Sequence, residues 1–153
     1  MKNNDFDWHE YFELANSYSN EEDIAKLRTG VGRYYYSTFL ESRDFILENN
    51  MFLNPFNEKI MKSTSGRVHQ ETRHTFKYHP KLNRNNAGTK IAQSLNVLRK
   101  YRNMADYDSE NPKNIKHVYN RCQLNHPIYR GWGFLNFFHL IMVNLSIFSG
   151  YPR

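Results

Sequence analysis

The chain has 153 residues, a formal net charge of +6 at pH 7 and a sequence pI of about 9.4. This length fits one domain with its own core, which eleven tyrosines and eleven phenylalanines can fill. Because Cys122 is the single cysteine, the sequence excludes an intramolecular disulfide and a cysteine-based zinc site, and it favours the reducing cytoplasm. We expect no metal ion and no other cofactor.

The positive charge is distributed unevenly along the chain. Lysine and arginine dominate residues 59–130, whereas the first fifty residues are acidic or balanced. This asymmetry favours a polyanionic partner such as RNA or DNA. A solvated basic face on a soluble protein produces the same pattern, and no run of basic residues is long enough to name a nucleic-acid motif.

The spacing of apolar residues predicts two helices in the first fifty residues. The first covers residues 7–17, with Asp5 or Asp7 as its N-terminal cap. The second is capped at Ser19 or Asn20 and ends near residue 50.

Two glycines, Gly30 and Gly32, lie inside the second predicted helix. Each weakens a helix by roughly 1 kcal/mol relative to alanine. We therefore expect a neighbouring helix to approach closely at these positions.

Three further helices are predicted downstream: residues 67–79, residues 88–107 and a segment that begins at Pro112. Residues 51–66 are expected to form a connection with a short helical turn in its middle. No alternating strand pattern with hairpin turns occurs. The predicted fold is all-α, an up-and-down bundle of four to five helices.

The last part of the chain differs in character from the rest. Residues 131–152 contain no charged side chain and reach the length of a membrane span, but polar residues such as Asn136 and His139 interrupt them. We divide the chain into a bundle at 1–130 and an aromatic segment at 131–153, which we expect to pack on the bundle as a buried helix. A weak membrane anchor and a tail that replaces an ordinary helix end are the alternatives. The N-terminus shows no signal-peptide pattern.

An arginine interrupts the apolar stripe of the fourth predicted helix. The stripe consists of Ile91, Leu95, Leu98, Arg102 and Ala105. A guanidinium keeps its charge, so on a packing face it needs an acidic partner or a wet cleft. Asp106, one turn further on, can be that partner. The pair is either a structural ion pair at the edge of the core or part of a functional site that Asn103 and Tyr107 flank.

Four sequence elements occur in an order and spacing that resemble small prokaryotic HEPN-domain proteins. The resemblance covers about residues 5–123. The opening D-W-x-x-Y-x-x-L-A element is matched by Asp7, Trp8, Tyr11, Leu14 and Ala15. The R-x-Y-Y-x-x-F helix is matched by Arg33, Tyr35, Tyr36 and Phe39, and a G-x-x-H element by Gly66 and His69. The late R-N-x-A-D-Y-D element is matched by Arg102, Asn103, Ala105, Asp106, Tyr107 and Asp108.

The resemblance implies a helical bundle that forms a homodimer with a polar cleft at its interface. In the ribonuclease members, an arginine and a histidine a few residues apart cleave RNA in that cleft without a metal. Such a histidine moves the proton of a 2′-hydroxyl while the arginine stabilises charge on phosphorus. Here no histidine follows Arg102 before His117, so the usual general base is missing.

Two residues are candidates to replace that base. Tyr107 follows Arg102 closely, although an ordinary tyrosine with a pKa near 10 is a poor base at neutral pH. His69 can reach the site from another helix, although a lone histidine at a helix start is more often structural. The candidate catalytic residues are thus Arg102, Asp106, Tyr107 and His69. The candidate phosphate-binding residues are Arg102, Asn103, Arg33 and Arg99.

Three functional hypotheses follow. The favoured one is a HEPN-type dimer that binds RNA or a nucleotide, as a component of toxin–antitoxin or phage-defence systems. The second is a metal-independent endoribonuclease with an altered Arg/His motif. The third is a non-enzymatic module that docks a partner such as a cognate nucleotidyltransferase antitoxin. A membrane-associated protein held by residues 131–150 is a less favoured fourth class.

Overall fold

The computed structural model describes residues 7–107 and 114–126, and these ranges form α-helices without any strand. The helices are α1 (Trp8–Ser17), α2 (Ile24–Glu48), α3 (Pro55–Met61), α4 (Val68–Tyr78), α5 (Ala87–Tyr107) and α6 (Ile115–Asn125). The all-α class is thereby confirmed. The short helix α3 lies where a connection with one helical turn was predicted, and with it the described residues contain six α-helices.

The C-terminal segment 131–153 lies outside the described residues, as do Asp5 and Asp108. Within the two described ranges, the structure has no helix that is both long enough and apolar enough to span a bilayer.

Two helices form the centre of the bundle. The helix α2 packs against α1, α5 and α6, and α5 packs against α2, α4 and α6. Their shared core includes Leu27 and Val31 of α2 and Leu95 and Leu98 of α5, all of which are fully buried. Burying one such side chain contributes about 1.5–3 kcal/mol. The contact between α2 and α5 therefore fixes which of their remaining faces is exposed.

Aspartates determine where the first two helices begin. Asp7 caps α1, as predicted, and its carboxylate accepts a hydrogen bond from the His9 backbone N–H at 2.8 Å. The predicted cap of α2 at Ser19 or Asn20 is wrong. Instead the Asp23 carboxylate accepts hydrogen bonds from two backbone N–H groups in the first turn, at 2.8 and 3.3 Å. These bonds satisfy donors that a helix start leaves unpaired, so α2 begins at Ile24.

A close helix contact occurs at one of the two glycines of α2. A Cβ atom added to Gly30 would lie 2.6 Å from the Tyr119 ring of α6, which confirms the expected close approach. At Gly32 the expectation is wrong, because no atom lies within 4 Å of such a Cβ. A second close approach occurs at Gly88 in α5, where a Cβ would collide with the Phe76 carbonyl and lie 2.9 Å from the Leu82 carbonyl oxygen.

Buried polar groups join α1, α2 and α6. The Tyr34 hydroxyl donates a hydrogen bond to the Asn16 side chain at 2.7 Å, and the Tyr119 hydroxyl donates to the Ala15 carbonyl. The fully buried His126 shares a hydrogen bond of 3.0 Å with the Ser37 hydroxyl. Burial lowers the pKa of His126 to about 3, so this imidazole is neutral at pH 7. These hydrogen bonds satisfy the buried polar groups and hold the three helices in one arrangement.

The two glycines Gly88 and Gly32 predict opposite effects of alanine substitution. Gly88→Ala should lower the free energy of unfolding by about 2 kcal/mol or more, because the added methyl group meets backbone atoms that cannot move aside. Gly32→Ala should raise it by about 0.5–1 kcal/mol, since alanine restricts the unfolded chain and meets no atom. Urea unfolding followed by circular dichroism measures both. If both variants changed the free energy of unfolding equally and in the same direction, the close contact at Gly88 would be contradicted.

Candidate functional site

Arg102 lies at the edge of the core, where the stripe of α5 leaves the packed interior. The stripe residues Leu98 and Ala105 are fully buried, whereas the Arg102 side chain is 26% exposed. Its Nε donates a hydrogen bond to the Asp106 carboxylate at 2.6 Å, so the predicted partner is in place. Ion pairs this exposed typically contribute about 0–1 kcal/mol to stability. The fold therefore depends little on Arg102.

Arg102 lines an open groove of about 440 Å³ between α2 and α5, which we call the arginine groove. Its lining comprises Arg28, Thr29, Gly32, Arg33 and Tyr36 of α2, and Arg102, Ala105 and Asp106 of α5. Three guanidinium groups thus converge on one site. Among the described lining residues Asp106 is the only carboxylate, and it is already paired with Arg102. The groove is therefore positively charged at neutral pH.

Gly32 explains why there is room for this groove. It lies one helical turn from Arg28 and Tyr36 on the same face of α2. Any larger residue would place a side chain in the space that the lining encloses, because nothing fills the position of its Cβ. The glycine therefore keeps the groove open and does not serve a helix contact.

Aromatic rings hold the arginines of the groove. The Arg33 guanidinium carbon lies 4.4 Å from the centre of the Tyr11 ring. The same atom of Arg102 lies 5.8 Å from both the Tyr36 and the Tyr107 ring centres. Such cation–π contacts orient a guanidinium while leaving its charge intact. The groove thus presents its arginines in a partly preorganised form.

His69 lies in a neighbouring cluster that we call the His69 cluster, together with Tyr35, Arg73 and Arg99. Its Nδ1 shares a hydrogen bond of 2.6 Å with the Tyr35 hydroxyl, and its ring centre lies 4.0 Å from that of Phe39. Burial, followed by the positive charges of Arg99, Arg102 and Arg73, lowers the pKa of His69 to about 4. His69 is therefore neutral at pH 7 and can accept a proton, although it is a weak base.

The two arginines of the His69 cluster extend the positive charge along α4 and α5. Arg73 donates hydrogen bonds to the Asn96 side chain and, at 3.4 Å, to the His69 carbonyl. Its pKa is lowered first by burial and then by the charge of Arg99. In the part of the chain that the structure describes, neither Arg73 nor Arg99 has a carboxylate within 4.0 Å. The cluster therefore concentrates positive charge without local compensation.

The structure brings most of the predicted residues into two adjoining groups. Arg33, Arg102 and Asp106 line the arginine groove, and Asn103 accepts a hydrogen bond from Arg102 at 3.3 Å. His69 and Arg99 belong to the His69 cluster, with the Tyr36 ring centre 6.5 Å from that of His69. Tyr107 is 75% exposed and contacts Arg102. It is therefore placed beside the arginine groove and away from the enclosed surroundings of His69.

Arg28 belongs to the site but was not among the predicted residues. One of its guanidinium nitrogens donates a hydrogen bond to the Ala105 carbonyl, which ties α2 to the end of α5. The spacing of Arg28, Gly32 and Tyr36 by four residues is the signal that places it on the face of Tyr36.

The charges around His69 predict that its pKa depends on Arg99. Arg99→Gln removes the positive charge that acts most strongly on His69. The imidazolium is then less disfavoured, so the pKa of His69 should rise from about 4 toward its ordinary value. Titration of the imidazole signals by NMR measures this shift. Lys59→Gln, an exposed change in α3, serves as the control and should leave the pKa unchanged. An unchanged pKa in the Arg99 variant would contradict the arrangement.

Comparison with known proteins finds an archaeal relative of this chain. The chain is 30% identical over 114 residues to an uncharacterized protein of Methanocaldococcus jannaschii. The match spans 69% of this chain and 63% of the archaeal protein, so it covers less than two thirds of that relative. No family model and no solved structure matches the chain. The site described above is therefore the main basis for a functional proposal.

Proposed function

We propose that this protein is a HEPN-type homodimer that binds RNA or a nucleotide through phosphate contacts in the arginine groove. The observation that carries the proposal is the convergence of Arg28, Arg33 and Arg102 on one open groove, whose described lining residues include a single carboxylate that is already paired. A guanidinium donates two parallel hydrogen bonds to a phosphate, which makes arginine well suited to this ligand.

The surrounding charges support a phosphate ligand over a purely structural role. Arg73 and Arg99 act on His69 together with Arg102 of the groove, and neither has a carboxylate within 4.0 Å among the described residues. Mutual repulsion of these cations is relieved when an anion binds. Asp106 holds the Arg102 guanidinium in position, so we regard it as a positioning residue. The overall net charge of +6 agrees with a polyanionic ligand.

The HEPN resemblance supports the same site. Its R-x-Y-Y-x-x-F element supplies Arg33 and Tyr36, and its R-N-x-A-D-Y-D element supplies Arg102 and Asp106. Residues that lie far apart in the sequence but match one family pattern thus line one groove. In this proposal the protein acts in a toxin–antitoxin or phage-defence system, and a cognate nucleotidyltransferase is the protein partner to test.

Binding should depend on the arginine groove. With a fluorescently labelled RNA of about twelve nucleotides at about 50 mM salt, Arg102→Ala and Arg33→Ala should each weaken binding about tenfold or more, because each removes a charged phosphate contact. Lys59→Ala removes a charge on α3 and should have little effect. Fluorescence anisotropy measures the affinities, and circular dichroism and light scattering check the fold and the homodimer.

Two outcomes would overturn the site. If Arg102→Ala fails to fold, Arg102 is structural and the assignment of the groove is wrong. If the variant folds, remains a dimer and binds RNA as tightly as the wild type, the ligand does not use this groove. The fold result is informative by itself, since the exposed ion pair predicts that the variant folds normally.

One observation also favours a second candidate function, a metal-independent endoribonuclease. His69 is neutral at pH 7 and lies among the charges of Arg99 and Arg102. Its Nδ1 is engaged by Tyr35, so the other ring nitrogen would take the proton of a ribose 2′-hydroxyl. The 2′-oxygen then forms a bond to the adjacent phosphorus, the bond to the 5′-oxygen breaks, and that oxygen takes a proton from water. The products are a 2′,3′-cyclic phosphate and a 5′-hydroxyl end.

This activity should survive metal removal and depend on His69. Purified protein incubated with total RNA in EDTA should cleave it, and His69→Ala should lose about a hundredfold or more of the rate. Because neutral His69 is the active form, the rate should rise as pH increases through about 4 and then level off. The variant Tyr107→Phe distinguishes the two candidate bases, because it removes the hydroxyl group of Tyr107 and leaves His69 in place. Inhibition by EDTA, or full activity in His69→Ala, would rule out this mechanism.

A further inference from the structure

A second groove lies between α4 and α5, and Arg73 of the His69 cluster lines it. It has a volume of about 370 Å³, and we call it the α4–α5 groove. Its lining includes Arg73, His74, Lys77, Tyr78, Gln93 and Asn96. Among the described residues no aspartate or glutamate lines it. Like the arginine groove, it is an open, positively charged recess with polar groups.

Each groove combines a cation with an exposed tyrosine ring. In the α4–α5 groove, Tyr78 is 59% exposed and the Lys77 ammonium lies 5.1 Å from its ring centre. Beside the arginine groove, Tyr107 is 75% exposed and Arg102 lies 5.8 Å from its ring centre. A cation that can hold phosphate next to a ring that can stack on a base is the combination that binds unpaired nucleotides. Base-paired strands cannot use the rings in this way.

Positive side chains connect the two grooves along α5. Arg73 lines the α4–α5 groove and also contributes, with Arg99 and Arg102, to the charge around His69. The helix α5 lines both grooves, from Thr89 in one to Asp106 in the other. At 1.5 Å per residue this stretch is about 26 Å long. One nucleotide would occupy only one of the two grooves.

We propose that one unpaired polynucleotide strand lies along α5 and occupies both grooves, with bases stacked on Tyr78 and Tyr107. Its phosphates contact Arg102, Arg99, Arg73 and Lys77. A strand with its bases stacked at about 3.4 Å per nucleotide needs roughly seven or eight nucleotides to cover this distance. This inference rests on the proposed function and specifies its ligand as an oligonucleotide longer than a mononucleotide.

The test measures affinity against strand length. Labelled single strands of about three, eight and twelve nucleotides, as RNA and as DNA of the same sequence, are titrated by fluorescence anisotropy or, for the shortest, by NMR. Wild-type affinity should rise up to about eight nucleotides and then level off. Tyr78→Ala should weaken binding of the longer strands about tenfold and leave the trinucleotide unaffected, whereas Tyr78→Phe keeps the ring and should bind normally.

A second variant tests the phosphate contact independently of stacking. Lys77→Ala should make the dependence of log affinity on log salt shallower by about 0.7 for a twelve-nucleotide strand, because one fewer counterion is released. Lys59→Ala should leave the slope unchanged. A DNA strand that binds as well as RNA identifies the shared phosphate and base chemistry as sufficient. Tighter binding of RNA than of DNA indicates an additional contact to the 2′-hydroxyl.

The outcomes separate this inference from the proposed function. If Arg102→Ala weakens binding of twelve nucleotides but the Tyr78 and Lys77 variants bind like the wild type, the α4–α5 groove is unused and only this inference fails. It also fails if a duplex binds as tightly as a single strand. If Arg102→Ala binds all strands like the wild type, or if the wild type binds none, the proposed function fails and the inference fails with it.

Discussion

The contact between α2 and α5 determines both the core and the candidate site. The two helices pack against each other, with Leu27 and Val31 of α2 buried in the core. Arg28 and Arg33 of α2 line the arginine groove together with Arg102 of α5. The hydrogen bond from Arg28 to the Ala105 carbonyl crosses the same junction. Because one helix pair provides both faces, a rotation that opened the groove would also expose apolar surface. The core contact thus holds the two helix backbones that frame the groove.

The candidate site concentrates charge that the folded chain compensates only in part. Within residues 7–107 and 114–126, Asp106 is the carboxylate paired with Arg102, and neither Arg73 nor Arg99 has a carboxylate within 4.0 Å. Burial first, and then these positive charges, lower the pKa of His69 and keep its imidazole neutral at pH 7. Surfaces of this kind attract polyanions over distances of about the Debye length, which is roughly 10 Å at 0.1 M salt.

Helical spacing predicted the pairing on α5, whereas the cap of α2 at Asp23 and several contacts between helices were missed. The stripe of α5 and the pairing of Arg102 with Asp106 follow from helical spacing alone, so both could be predicted. The role of Gly88 could not, because its partner Phe76 lies in another helix and meets it only after the intervening loop closes. The surroundings of His69 likewise depend on how α2, α4 and α5 pack. The four-residue spacing places Arg28 on the face of Tyr36, but its contact with the Ala105 carbonyl depends on the packing of α2 against α5.

The close contact at Gly88 also has a consequence for selectivity. It holds the start of α5 against α4, and these two helices line the α4–α5 groove. In the proposed complex, the length of α5 between the two grooves sets the length of strand that can occupy both. The tyrosine rings and arginines accept any base and any phosphate. The number of unpaired nucleotides therefore decides how tightly a strand binds. Such a protein would distinguish its ligands by length before it distinguished them by sequence.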